Sequence, residues 1–176
     1  MIENTIFARN REGKKATVFS ITIPSLELVE IAACAQFDGI FLDGEHGPFD
    51  QGNIDGLVAL AHAHNMSVTA RVPNLRFDTI TQWLDRGIQG VMAPHVETGE
   101  EAQAVIDACY FPPLGHRSWG THRGTLFNDD NEVETRFGSR EKFMNFADQN
   151  MWVYAQVESK KGYENLDDIL AVEGLH

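Results

Sequence analysis

The run Asp43-Gly44-Glu45-His46-Gly47 sets two carboxylates and an imidazole among glycines, directly after the apolar stretch Gly39-Ile-Phe-Leu42. Other apolar stretches end in a similar way. MSVTAR ends on Arg71, GVMAP leads into His95, and MWVYAQVE carries Gln156 and Glu158. Each residue type has a chemistry. Glu158 can hold a hard divalent cation, which prefers oxygen ligands and keeps several waters. Arg71 presents a rigid fork of donors to a carboxylate or a developing oxyanion. His46 beside Asp43 can form a general base, the aspartate fixing the tautomer and orientation of the imidazole. The same residues also have plain structural uses: a helix-capping turn for 43–46, a surface ion pair for Arg71, and a carboxylate favoured in the first turn of a helix for Glu158.

A parallel sheet would bring these residues together. Strand signals at residues 15–21, 39–43, 66–71, 90–94 and 151–158 alternate with helix signals, which predicts an α/β fold with a parallel sheet, either a barrel or a doubly wound layer. After Pro24-Ser25 the segment LELVEIAACAQ predicts a helix with Leu26, Val29, Ile31 and Ala33 on one stripe. A second helix is expected over 54–65. Asp78 reads as the N-cap of TITQWLDRG, with Ile80, Trp83 and Leu84 apolar at i, i+3, i+4 and Gly87 as the stop. Thr98 to Glu101 reads as a capping box before the stripe Ala102, Val105, Ile106, Cys109. A last helix is expected over 161–172. The segment 111–150 breaks the rhythm; it is long for a connection, which predicts a functional loop or a helix near 139–148. In a parallel sheet all strand C-termini share one face, where barrel and doubly wound enzymes assemble their sites.

Composition narrows the function. The 176 residues are 43% apolar and carry a net charge of −12, enough for a core and unsuited to nucleic acid or an anionic membrane, which need clustered cations. No apolar run approaches the length of a membrane span, and MIENTIFARNREGKK lacks the apolar region of a signal peptide. A cytoplasmic setting is expected, with Cys34 and Cys109 as free buried thiols. There is no GxGxxG, P-loop or CxxC, which excludes dinucleotides, P-loop nucleotides and thiol redox as leading chemistries. His62 and His64, two apart on a helix, point to different faces. His116 and His122 lie in a glycine-bearing loop, and Trp83, Trp119 and Trp152 are expected to pack.

The segments FDGIFLDGEHGPFD, ARVPNLRFDTITQWLDRGIQGVMAPHVETGEEAQ, YFPPLGHRSWG and VYAQVESKKGYENLDDILAVEGLH resemble, in this order, the HpcH/HpaI class II pyruvate aldolases. The resemblance implies a (β/α)8 TIM barrel, of which this chain holds about the first five to six β/α units. Residues 1–176 would then be a single barrel domain truncated at its C-terminus. It implies a divalent metal ion (Mg²⁺, Mn²⁺ or Co²⁺) and a homo-oligomer, hexamer or trimer. The implied reaction reversibly cleaves a 4-hydroxy-2-oxo acid to pyruvate and an aldehyde through a pyruvate enolate held at the metal, with oxaloacetate decarboxylation as a side activity. By the same resemblance Glu158 is a metal ligand, and a second carboxylate ligand is expected beyond His176. Arg71 meets the keto oxygen, while His46 with Asp43 is the acid/base pair. Gln156, His95, Gly115 and Ser118 line the substrate site, His95 resembling the macrophomate synthase branch. Glu45 and Asp85 stand behind the site or at a subunit contact. The alternative expectation is a non-catalytic α/β binding or assembly module with an incomplete metal site.

Overall fold

The computed structural model describes residues 2–176. Five strands, β1 (Val18–Ile21), β2 (Gly39–Asp43), β3 (Ser67–Arg71), β4 (Gly90–Ala93) and β5 (Trp152–Ala155), form one sheet in the order β1-β2-β3-β4-β5. Every neighbouring pair is parallel. Helices occupy the crossovers: α2 (Leu26–Cys34), α3 (Gln51–Ala63), α4 (Phe77–Asp85) and α5 (Gly99–Cys109). This is a run of successive β/α units, the arrangement of a partial barrel.

Strand alternation decides what each face carries, because successive side chains point to opposite sides. Ile21, Ile40, Leu42, Val68, Ala70, Val91, Ala93 and Val153 join the helix residues Val29, Leu57, Ile80, Leu84 and Ile106 in one buried cluster. The opposite parity, Val18, Ser20, Phe41, Thr69, Met92, Trp152 and Tyr154, lines a hollow of about 280 Å³. Asp43 and Arg71 share the parity of Phe41 and Thr69, so their side chains rise on the hollow side at the strand ends.

Caps set most boundaries. Thr98 Oγ1 accepts from the Glu101 N–H at 3.1 Å, but Glu101 Oε2 reaches back to the Glu97 N–H at 2.7 Å, one residue before the expected partner. The expected N-cap at Asp78 lies inside the first turn of α4; Arg76 precedes that helix without a side-chain cap and instead pairs with Asp78. On α2 the buried residues are Val29 and Ala32, whereas Leu26 and Ile31 are exposed. Val29 and Ala32, three apart, turn the buried stripe away from the predicted one. Cys109 is buried and its thiol pushed up to about 12 by desolvation, but Cys34, at the end of the exposed side of α2, faces solvent. The single helix expected after β5 is two short ones, α8 (Lys160–Glu164) and α9 (Leu166–Leu170), divided at Asn165. The Asn165 side-chain amide donates to the Glu97 carbonyl at 2.9 Å, which pins the break.

One helix was not foreseen, and the segment 111–150 holds the helix expected near 139–148 together with a second helix and a small core. Helix α1 (Thr5–Arg11) is capped by Asn4, and it crosses the N-terminal ends of the strands through Thr5 N–H to Ser67 Oγ at 2.8 Å. The segment 111–150 builds a satellite core. Helices α6 (Asp130–Phe137) and α7 (Arg140–Gln149) enclose Phe111, Leu126, Val133, Phe143 and Ala147, with Trp119 edge-on to Phe143 at 5.5 Å. A buried aromatic cluster, not a floppy loop, accounts for its length.

One half-buried group on this side carries a pH prediction. Burial pulls the His62 imidazole down to about 4, with the Arg123 charge acting the same way. The unfolded value is near 6.5, so the stability this neutral ring contributes is full above about pH 6.5 and is lost as pH falls towards 4. Urea denaturation at pH 7 and pH 5 should therefore show a smaller acid loss in His62→Gln than in the wild type. An equal loss in both chains would remove His62 as its source.

Candidate active site

Asp43 and Arg71 are Cα partners in the β2–β3 register, so the sheet itself brings the carboxylate and the guanidinium side by side. Arg71 Nε donates to Asp43 Oδ1 at 2.8 Å and Nη2 to Oδ2 at 2.6 Å, a two-pronged pair with both side chains nearly buried. The Arg71 guanidinium holds the Asp43 carboxyl below its usual range, overcoming the desolvation that acts against it. Asp43 Oδ1 also accepts from the backbone N–H groups of Glu45 and His46, at 3.2 and 3.3 Å, which fixes the turn after β2.

That turn points Glu45 inward. Its Oε2 lies 2.9 Å from Arg71 Nη1, yet lacks hydrogen-bond geometry, and it is a buried oxygen without a hydrogen-bond partner. Its Oε1 meets His95 Nε2 at 2.8 Å, and His95 Nδ1 lies 3.1 Å from Glu158 Oε1. One imidazole thus spans two carboxylates. His95 stands two residues past β4 with φ +52°, a left-handed backbone uncommon for a non-glycine residue. Its N–H donates to Glu158 Oε1 at 3.1 Å, tying the β4 and β5 ends together. Gln156 Nε2 donates to Glu158 Oε2 at 3.0 Å, and its own Oε1 is buried without a partner.

The structure therefore gathers Asp43, Glu45, Arg71, His95, Gln156 and Glu158 at one strand-end face. It separates others. The His46 ring is 70% exposed and its nearest carboxylate oxygen is Glu45 Oε2, 3.8 Å from Nε2. The expected Asp43–His46 side-chain pair is thus replaced by an Asp43–Arg71 pair, because the register sets the arginine directly opposite. Gly115 and Ser118 lie at the other end of the fold. Their loop leaves the C-terminus of α5, with His116 N–H on the Asp107 carbonyl at 2.7 Å and Arg117 N–H on the Tyr110 carbonyl at 2.8 Å. In a β/α unit that end of the helix faces the strand N-termini, so this loop is far from the cluster within one chain. Asp85, last in α4, is there too, its carboxyl raised by desolvation and its Oδ1 buried beside Gly120. Glu45 is the residue whose importance was understated; the only sequence signal was its place two after Asp43 in a glycine-bound turn.

Among the described residues no three His, Cys, Asp or Glu side chains form a ready metal cage. A hard cation can instead be held by one or two carboxylates and keep its waters. Glu158 supplies carboxylate oxygen, and Gln156 beside it carries a buried Oε1 without a hydrogen-bond partner, so the donor chemistry fits such an ion.

Comparisons with known proteins bear on the family and the fold. The sequence model of a family described as HpcH/HpaI aldolase/citrate lyase matches residues 18–176. A 4-hydroxy-2-oxovalerate aldolase of Novosphingobium aromaticivorans is 32% identical over 176 residues, covering 98% of this chain and 62% of the relative. A hydroxypyruvate/pyruvate aldolase of Roseobacter denitrificans is 35% identical over 173 residues, covering 98% and 64%. The crystal structure of an HpcH/HpaI aldolase from Desulfitobacterium hafniense superposes with a TM-score of 0.80 at 28% identity, covering 97% of this chain and 63% of that one. Macrophomate synthase superposes at 0.74 with 27% identity, covering 98% and 58%. The chain spans a little under two thirds of the length of the curated relatives it matches. No helix among the described residues is long and apolar enough to cross a membrane.

Proposed function

The chain belongs to the HpcH/HpaI aldolase/citrate lyase family, and from that premise we propose that it serves a metal-dependent aldolase. The reaction reversibly cleaves a 4-hydroxy-2-oxo acid to pyruvate and an aldehyde, and oxaloacetate decarboxylation accompanies it. The observation that carries this reading is the guanidinium of Arg71 set among Asp43, Glu45 and Glu158 at the strand ends. It is a fixed cationic fork in an oxygen-rich pocket, suited to a small 2-oxo acid. The names of the relatives, aldolases of hydroxy-oxo acids and of pyruvate, support the same class.

Glu158 would hold the divalent ion, Mg²⁺, Mn²⁺ or Co²⁺, with Gln156 beside it, and the ion supplies Lewis acidity towards the 2-oxo acid. Arg71 stabilises negative charge as it develops on the keto oxygen. His46, on its exposed turn, moves a proton at the substrate hydroxyl or methyl. His95, held between two carboxylates, narrows the aldehyde side. The family resemblance supports a cytoplasmic homo-oligomer, trimeric or hexameric, in which residues 1–176 form part of a single barrel domain. In such an assembly, Asp85 and the 115–120 loop are free to face a neighbouring subunit.

Pyruvate release from 4-hydroxy-2-oxovalerate should disappear with EDTA and return with Mg²⁺ or Mn²⁺. Undiminished release in chelator would end the metal-dependent reading. No release under any metal, with the chain folded, would favour a non-catalytic binding module.

A further inference from the structure

We infer that Asp43 acts by holding the Arg71 fork in place, and that His46 takes no orientation from it; the role of the fork rests on the aldolase reading above. The argument is one of occupancy. An ionised carboxylate offers about four lone-pair sites. Asp43 receives Arg71 Nε and Nη2 and the N–H groups of Glu45 and His46. Oδ1 takes three of these donors and Oδ2 one, and the His46 imidazole is not among them: it lies out in solvent with Glu45 as its nearest carboxylate.

The placement is dictated by the sheet. Asp43 and Arg71 are register partners on adjacent parallel strands, both turned to the hollow side. Two parallel hydrogen bonds fix the plane of the guanidinium as well as its position. With Nε and one N–H of Nη2 committed to Asp43, the second N–H of Nη2 and both donors of Nη1 remain. Nη1 lies 2.9 Å from Glu45 Oε2 without hydrogen-bond geometry, so its N–H groups are left for a 2-oxo acid. Asp43 is accordingly a positioning residue, setting which edge of Arg71 faces the substrate.

A double-mutant cycle separates this from the dyad arrangement. Pyruvate binding is measured by calorimetry with Mg²⁺ present, for the wild type, Asp43→Asn, Arg71→Lys, His46→Ala and the two doubles that contain Asp43→Asn. Asp43→Asn turns an amide donor towards a guanidinium donor and should weaken pyruvate by about tenfold or more. That loss should persist in the His46→Ala chain and vanish in the Arg71→Lys chain. Persistence in Arg71→Lys, or disappearance in His46→Ala, overturns the inference. If Asp43→Asn does not fold by circular dichroism, nitrogen NMR of the wild type decides. A slowly exchanging Arg71 Nε–H with a His46 ring free to change tautomer upholds it, and a His46 ring locked in one tautomer refutes it. A folded wild type that binds no pyruvate counts against the aldolase reading, and the same NMR experiment still decides the Asp43–Arg71 arrangement.

Discussion

An Arg71→Ala chain is expected to lose about two to three orders of magnitude in turnover and about 3–5 kcal/mol of stability. Two magnitudes compete. An exposed ion pair is worth about 0–1 kcal/mol, whereas removing one partner of a buried pair leaves an uncompensated charge. Burial decides, since Arg71, Asp43 and Glu45 side chains are only 15%, 13% and 12% exposed. Losing the guanidinium strands two carboxylates at once. The pH dependence has a definite sign. The Asp43 carboxyl, held low by Arg71, contributes stability that is present above its unfolded value near 3.8 and is lost as pH falls through its lower folded value. Below about pH 4 the deficit of Arg71→Ala should therefore shrink, as the stranded Asp43 carboxyl takes up a proton. Urea denaturation from pH 3 to 8, with pyruvate release as the second readout, checks both. A stability loss under about 1 kcal/mol would mean that the pair behaves as a surface pair.

Gly44→Ala should be strongly disruptive for a single methyl. A β-carbon there would stand 2.5 Å from the Trp83 ring and 2.7 Å from the Arg71 carbonyl. The Gly44 N–H already bonds that carbonyl at 2.8 Å, so the backbone has no room to retreat. Trp83 is itself buried in the main core, where shifting a ring disturbs its neighbours. Overpacking of this kind costs about 1–3 kcal/mol, and here the strain falls between Asp43 and Glu45. We expect a loss at the upper end of that range, together with a drop in turnover of about tenfold or more. A Trp83→Phe background, with a smaller ring, should recover part of both. Denaturation midpoints of the four chains settle the matter; no recovery would place the strain at the Arg71 carbonyl instead.

Much of the fold could be read from local pattern, because local pattern is what periodicity reports. The β2 strand was placed at 39–43, where it stands, and Ile80, Trp83 and Leu84 are buried together as their spacing required. Short elements whose order depends on distant partners were missed. Helix α1 depends on Asn4 and on Ser67, 62 residues away from Thr5, and the break at Asn165 depends on Glu97. The site divides in the same way. Polar residues at successive strand ends were visible as soon as the strands were placed. Which carboxylate faces which cation depends on register, a property of two strands together, so nearness along the chain wrongly paired Asp43 with His46. The 115–120 loop entered through family resemblance alone, and within one chain it leaves the far end of α5, away from the cluster.

The sheet order has a further consequence. Each strand pairs only with the strands before and after it in sequence, so cooperativity runs along the row as it does in a repeat array. The β2–β3 ladder, with five paired residues, is the longest in the sheet and holds Asp43 and Arg71. The two halves of the clamp are therefore parted only when that ladder opens, and affinity for a 2-oxo acid should fall in step with amide exchange along β2 and β3.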